Sequence, residues 1–142
     1  MEDVNDVVVS RLKLLDEYVS ELCEYRAEAT SFKIYESNKR LRRAVERCLQ
    51  VAVEICLDIG RHLISLEGFR YPDNNQDVFQ VLAEEEVVPE DLLSTLVDMA
   101  RFRNLMVHDY ARIDDAKVYT ILKQRLSDFD TFARAISTYV ER

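Results

Sequence analysis

Residues 34–67 read IYESNKRLRRAVERCLQVAVEICLDIGRHLISLE, and the spacing of apolar side chains in this stretch decides the class of the fold. Ile34, Leu41, Val45, Cys48, Ala52, Ile55, Ile59, Leu63 and Leu66 recur at intervals that keep them on one side of an α-helix. Thr30 and Ser31 offer oxygens to cap its start, and Gly68 suits a left-handed stop at its end. A single helix from there to Glu67, more than about thirty residues long, is expected. Gly60 lies inside it at a cost of about 1 kcal/mol against alanine, which implies either close packing or a bend.

The same period extends outward in both directions. Val4, Val8, Leu12, Leu15, Val19 and Leu22, widened by Val7, Leu14 and Tyr18, predict an amphipathic helix from about Asp3 to Ala29. Beyond Gly68, Tyr71-Pro72-Asp73-Asn74-Asn75 carries turn chemistry, and Asn74 or Asn75 can cap a short helix through about Glu86 with Val78, Phe79, Val81 and Leu82 inside. Glu84, Glu85 and Glu86 crowd the negative end of that helix dipole, so a frayed end that can serve as a mobile flap is expected. Pro89 at a first helical position, followed by Glu90 and Asp91, opens a helix to about Tyr110. Asp114 caps the last one, with Val118, Tyr119, Ile121, Leu122, Leu126, Phe129, Phe132, Ala133, Ile136, Tyr139 and Val140 facing inward. The fold class is therefore all-α, an up-and-down bundle of four long helices plus one short one.

Composition supports one domain, residues 1–142, large enough to bury a core of its own. Two glycines and two prolines leave little turn chemistry for a β-protein. No apolar run is long enough to cross a bilayer, and Met1 to Ser20 carries no secretion pattern; a cytoplasmic protein without membrane contact is expected. Cys23, Cys48 and Cys56 match no metal or redox spacing and read as free thiols in the core. With His62 and His108 as the only histidines, no metal site and no cofactor is expected, and His62 reads as a semi-buried or surface residue. A net charge of −8 argues against non-specific nucleic-acid binding, though Lys39, Arg40, Arg42, Arg43 and Arg47 form a locally basic stretch. Arg40, Arg43 and Arg47 are candidate RNA contacts; the alternative is a solvated helix face.

The chemistry concentrates in Arg101-Phe102-Arg103-Asn104-Leu105-Met106-Val107-His108-Asp109-Tyr110. On a helix, Arg103 and Tyr110 fall in the stripe of Leu92, Leu96, Met99, Met106 and Val107, with Asn104 and His108 paired on its flank. A guanidinium on an apolar face needs a partner: a carboxylate of another helix, or a ligand. The string Arg103-Asn104, three residues, His108, one residue, Tyr110 resembles the R-x4-H-x-Y signature of the HepT-like branch of the HEPN superfamily. The likeness covers nearly the whole chain in helix order and length.

Metal-free cleavage of RNA needs a base for the 2′-hydroxyl, an acid for the leaving oxygen and positive charge at the phosphorus. His108 can supply the first or second, Arg103 the charge, and Asn104 can orient either group. These three are the candidate catalytic residues. Arg103 and His108 point about 140° apart on one helix, so a homodimer that brings each arginine to the other chain's histidine is expected. The resemblance implies the same interface site in an RNA endonuclease that acts as a toxin. It also implies a partner, the minimal nucleotidyltransferase antitoxin MntA, which silences the nuclease by attaching AMP to Tyr110. The alternatives are a non-catalytic HEPN module that binds nucleotide or substrate for a nucleotidyltransferase, and a helical interaction protein.

Overall fold

Where the periodicity predicts one helix up to Glu67, the chain forms two, Phe32–Ser37 (α2) and Lys39–Glu67 (α3). Asn38 is the break. Its backbone leaves the helical region at φ −108° and ψ 94°, and its Oδ1 accepts the N–H of Leu41 at 3.1 Å, capping α3. The interruption resets the register, so Tyr35 is buried and the expected Ile34 is exposed. Ser31 caps α2 through the N–H of Ile34, as its position suggests.

The computed structural model describes residues 4–142, with burial given from Asp6 onward; the expected start at Asp3 and the side chain of Val4 lie outside what is described. Val4–Glu28 (α1) packs chiefly along α3. Asn75–Glu84 (α4) and Leu93–His108 (α5) pack on each other and on α3. The expected last helix is also divided, into Asp115–Gln124 (α6) and Ser127–Glu141 (α7). Asp114 does cap α6, accepting from the N–H of Ala116. The division falls at Arg125, whose Nε donates to Asp128 Oδ2 at 2.7 Å in the first turn of α7 while Leu126 turns into the core. The result is an all-α bundle with no strand among the described residues, seven helices replacing the expected five.

Gly60 resolves in favour of close packing. A Cβ there would lie 2.7 Å from Val78 Cγ1 and 3.2 Å from Leu82 Cδ1, so α4 rests almost on the α3 backbone. Gly68 ends α3 in the left-handed region at φ 69°. The frayed end expected for α4 is instead a formed stop: Glu86 takes φ 59°, Val87 N–H donates to the Leu82 carbonyl at 2.8 Å, and Val87 and Val88 are buried. Burial of these valines outweighs the unfavourable glutamates, so the segment is packed and no flap is formed. Cys48 and Cys56 are buried free thiols, whereas Cys23 is only half-buried.

Arg70 ties the connection before α4 to the helix itself, with Nη1 and Nη2 donating to Asp77 at 2.8 and 2.7 Å and Nε to Glu84 at 2.9 Å. Hydrogen bonding from Arg70, and then from the Asp73 N–H, holds the Asp77 carboxyl down to about 2. Glu84 is lowered by the same guanidinium.

Two outcomes follow from this packing. Gly60→Ala should destabilise the fold by about 1–3 kcal/mol, because the stiff Val78 side chain must move; the urea midpoint reads this, and an unchanged or raised midpoint would refute it. Because both carboxyls are depressed in the folded state, the Arg70 cluster stabilises above the ordinary carboxylate range and loses that effect as pH falls. The difference in Tm between wild type and Arg70→Ala should therefore close between pH about 4 and pH about 2. A pH-independent difference would show that the cluster does not act through charge.

Candidate active site

α5 runs antiparallel to α3, and polar contacts cross the seam at two levels. Arg103 meets Glu54, with Nε 3.6 Å from Oε1, and Tyr110 donates its hydroxyl to Glu46 Oε1 at 2.7 Å. Glu46 and Glu54 are eight residues apart, so the two levels are separated by about 12 Å along α3.

Arg103 is held but not enclosed. Its side chain keeps 22% of its exposure, and the contact with Glu54 is longer than a hydrogen bond. Gln50 Nε2 already donates to that Glu54 oxygen at 2.8 Å, and Arg103 Nε is buried without a hydrogen-bond partner. Nη1 donates to Asn104 Oδ1 at 3.3 Å. The carboxylate partner of another helix is thus present, yet it leaves most of the guanidinium's donors uncommitted among the described residues.

Asn104 belongs to a chain of contacts that fixes which way its amide points. Arg61, which can only donate, donates through Nη2 to Asn75 Oδ1. Asn75 must then present Nδ2, which donates to Asn104 Oδ1 at 3.0 Å. Both Asn75 and Arg103 approach that oxygen, which leaves the Asn104 Nδ2 donors on the other side of the amide. The expected pairing of Asn104 with His108 is not formed. His108 is exposed as the last residue of α5, where a cation is favourably placed against the helix dipole.

The motif helix stops two residues earlier than expected. Asp109, at φ −146° and ψ 54°, ends α5, and Tyr110 to Arg112 form a 3-10 turn, so Tyr110 does not share a helical face with Arg103. The turn swings the phenol back onto the first part of α3. Hydrogen bonding to Glu46 is the main cause that raises the Tyr110 pKa; partial burial adds to it, and the neighbouring Arg43 guanidinium opposes it. The expected buried stripe also shifts: Leu92, Leu96, Ala100, Phe102 and Met106 are buried, while Val107 is 41% exposed. A helix needs only one face for its own core, and Val107 with Tyr110 is left at the surface.

The basic stretch divides. Arg42 is structural, donating to the Glu36 carbonyl and pairing with Asp115 at 3.6 Å, whereas Arg40, Arg43 and Arg47 are exposed. His62 is half-buried as expected and lines a depression with Val7, Val8 and Arg11 of α1 that contains none of Arg103, Asn104, His108 or Tyr110. A larger depression of about 450 Å3 separates α5 from α6 and α7, and it contains none of Arg103, Asn104, His108 or Tyr110. The motif residues therefore form an open polar strip along α5.

Glu46, Glu54 and Asn75 were missed as members of this strip. Glu54 and Asn75 carry no local signal beyond a helical acid and a cap. Glu46 had one: it falls with Leu49, Val53 and Cys56 on a second stripe of α3, an acid in an apolar row.

The sequence model described as Ribonuclease HepT-like matches residues 15–136. The chain is 25% identical over 133 residues to the mRNA nuclease HepT of Shewanella oneidensis, covering 94% of this chain and 98% of that one. It is 25% identical over 141 residues to the tRNA nuclease HepT of Aphanizomenon flos-aquae, covering 99% and 95%. In fold it resembles the tri-AMPylated Shewanella oneidensis HEPN toxin in its complex with an MNT antitoxin, with a TM-score of 0.85 at 24% identity over 97% of this chain and 99% of that one. With its motif strip, its helical bundle and a match that spans most of its length, the chain belongs to the ribonuclease HepT-like family.

Proposed function

We propose that this chain is a metal-independent RNA endonuclease, one HEPN domain over residues 1–142, and the cytoplasmic toxin of a toxin and antitoxin pair. Family membership supports the nuclease class, and the relatives named as mRNA and tRNA nucleases support RNA as substrate. The observation that carries the assignment of residues is the Arg103 guanidinium, oriented by Asn104 yet only loosely engaged by Glu54, on the same helix that ends in an exposed His108.

In this reading Arg103 and the Asn104 amide bind the non-bridging oxygens of the scissile phosphate. The 2′-hydroxyl attacks the phosphorus, His108 assists proton transfer, and the 5′-oxygen leaves, giving a 2′,3′-cyclic phosphate. Glu54 holds the arginine until phosphate displaces it. Arg103 and His108 lie about 140° apart around α5, so the complete site is formed by two copies of the chain. The exposed Val107 beside the strip supplies apolar surface for such a contact. Arg40, Arg43 and Arg47 then extend the track for the RNA backbone.

Regulation by AMPylation at Tyr110 is part of the proposal. Its support is the solved AMPylated HEPN toxin with its antitoxin and a Tyr110 ring that is 55% exposed beside His108. An added phosphodiester there would bring negative charge and bulk to the phosphate site.

Arg103→Ala and His108→Ala should each lower RNA cleavage at least about 100-fold with the far-UV helical signal retained, and chelation by EDTA should leave wild-type cleavage intact. Cleavage that survives either substitution would overturn the catalytic assignment, and loss in EDTA the metal independence. Intact-mass measurement after incubation with the cognate minimal nucleotidyltransferase and ATP should show AMP on the wild type and none on Tyr110→Phe; addition to the phenylalanine variant would move the site elsewhere.

A further inference from the structure

Glu46 is the one charged residue buried among the described residues, with 7% of its surface exposed. A carboxylate in that position needs a donor. Its donor is the Tyr110 hydroxyl at 2.7 Å, a bond spanning 64 residues of sequence. Arg43, one helical turn before Glu46, is exposed and near enough to the same phenol for its charge to pull the pKa down. The hydroxyl thus has a carboxylate that accepts its hydrogen bond and a guanidinium nearby that is open to solvent.

We propose that Glu46 and Arg43 make Tyr110 a built acceptor for nucleotidyl transfer, Glu46 as the general base that takes the phenol proton and Arg43 as the cation that receives the α-phosphate of a nucleoside triphosphate. The proposal deepens the Tyr110 reading above and rests on it. In the step, Tyr110 Oη bonds to the α-phosphorus, the bond from that phosphorus to the β-phosphate oxygen breaks, and pyrophosphate leaves. The proton passes to Glu46 and from there to solvent. The Glu46 hydrogen bond raises the phenol's pKa, so the nucleophile is not a preformed phenolate and must lose its proton as it attacks. The group in contact with that proton is Glu46. After transfer the ether-like oxygen can no longer donate, and the charged adduct is repelled by the carboxylate toward Arg43 and the open strip.

The test uses the full chain, its cognate minimal nucleotidyltransferase and ATP labelled on the α-phosphate. Glu46→Gln keeps an oxygen for the Tyr110 hydroxyl but cannot take a proton. It should be labelled about 100-fold more slowly than wild type, through kcat with KM for ATP unchanged, while its far-UV helical signal and urea midpoint stay at the wild-type values. Incorporating fluorinated tyrosines of increasing acidity at position 110 should progressively restore the rate in Glu46→Gln and change it little in the wild type. Equal labelling of the two chains, or the same acidity dependence in both, would overturn the proposal while leaving Tyr110 modification standing. A wild type that takes no label on Tyr110 would overturn the modification reading and this proposal together. Should Glu46→Gln fail to fold, the fluorotyrosine series in the wild type decides alone, since a steep dependence on acidity means that no base assists.

Discussion

Two carboxylates of α3 reach across to α5 and the turn that follows it, and the register of this segment on α3 depends on them. Glu46 takes the Tyr110 hydroxyl and Glu54 stands beside Arg103. A slip of one turn, about 5.4 Å, would leave a buried carboxylate without a donor. Apolar packing tolerates small shifts better than such a loss, because it is non-directional, whereas a hydrogen bond to an ion is short and aimed. The seam therefore does more than hold two helices together; it places the motif residues in relation to each other.

α4 completes that placement from the other side. Arg70 clamps the connection to Asp77 and Glu84, the Val78 and Leu82 side chains of α4 lie against Gly60, and Asn75 at the first turn meets Asn104. Arg61 sets the Asn75 amide, and Asn75 sets that of Asn104. The direction of the Asn104 amide thus depends on residues outside the motif.

The charge distribution fits the same picture. The chain carries −8, yet its motif strip and the adjoining face of α3 expose Arg40, Arg43, Arg47 and His108. Acidic surface elsewhere disfavours indiscriminate binding to nucleic acid, so attraction of a phosphate is local to the strip. In the proposed dimer, a site spread along a helix instead of sunk in a pocket would take its walls from the second copy.

Helix class, the caps at Ser31, Asn74 and Asp114, the stop at Gly68 and the motif itself were legible from sequence, since each depends on neighbours a few residues away. The breaks at Asn38 and Arg125 were harder, because neither a side chain that takes a backbone N–H, as Asn38 does, nor a contact between side chains, as Arg125 makes with Asp128, disturbs the apolar period on either side. Residue chemistry together with the resemblance of the R-x4-H-x-Y string to the HepT-like signature marked Arg103, Asn104, His108 and Tyr110. Only the tertiary structure decided that Tyr110 leaves the helix for Glu46, that Arg103 is shared with Glu54, and that Asn104 answers to Asn75 in place of His108. These pairings join residues 29 to 64 positions apart, and their partners are chosen by how α3, α4 and α5 pack, a choice that no local spacing encodes.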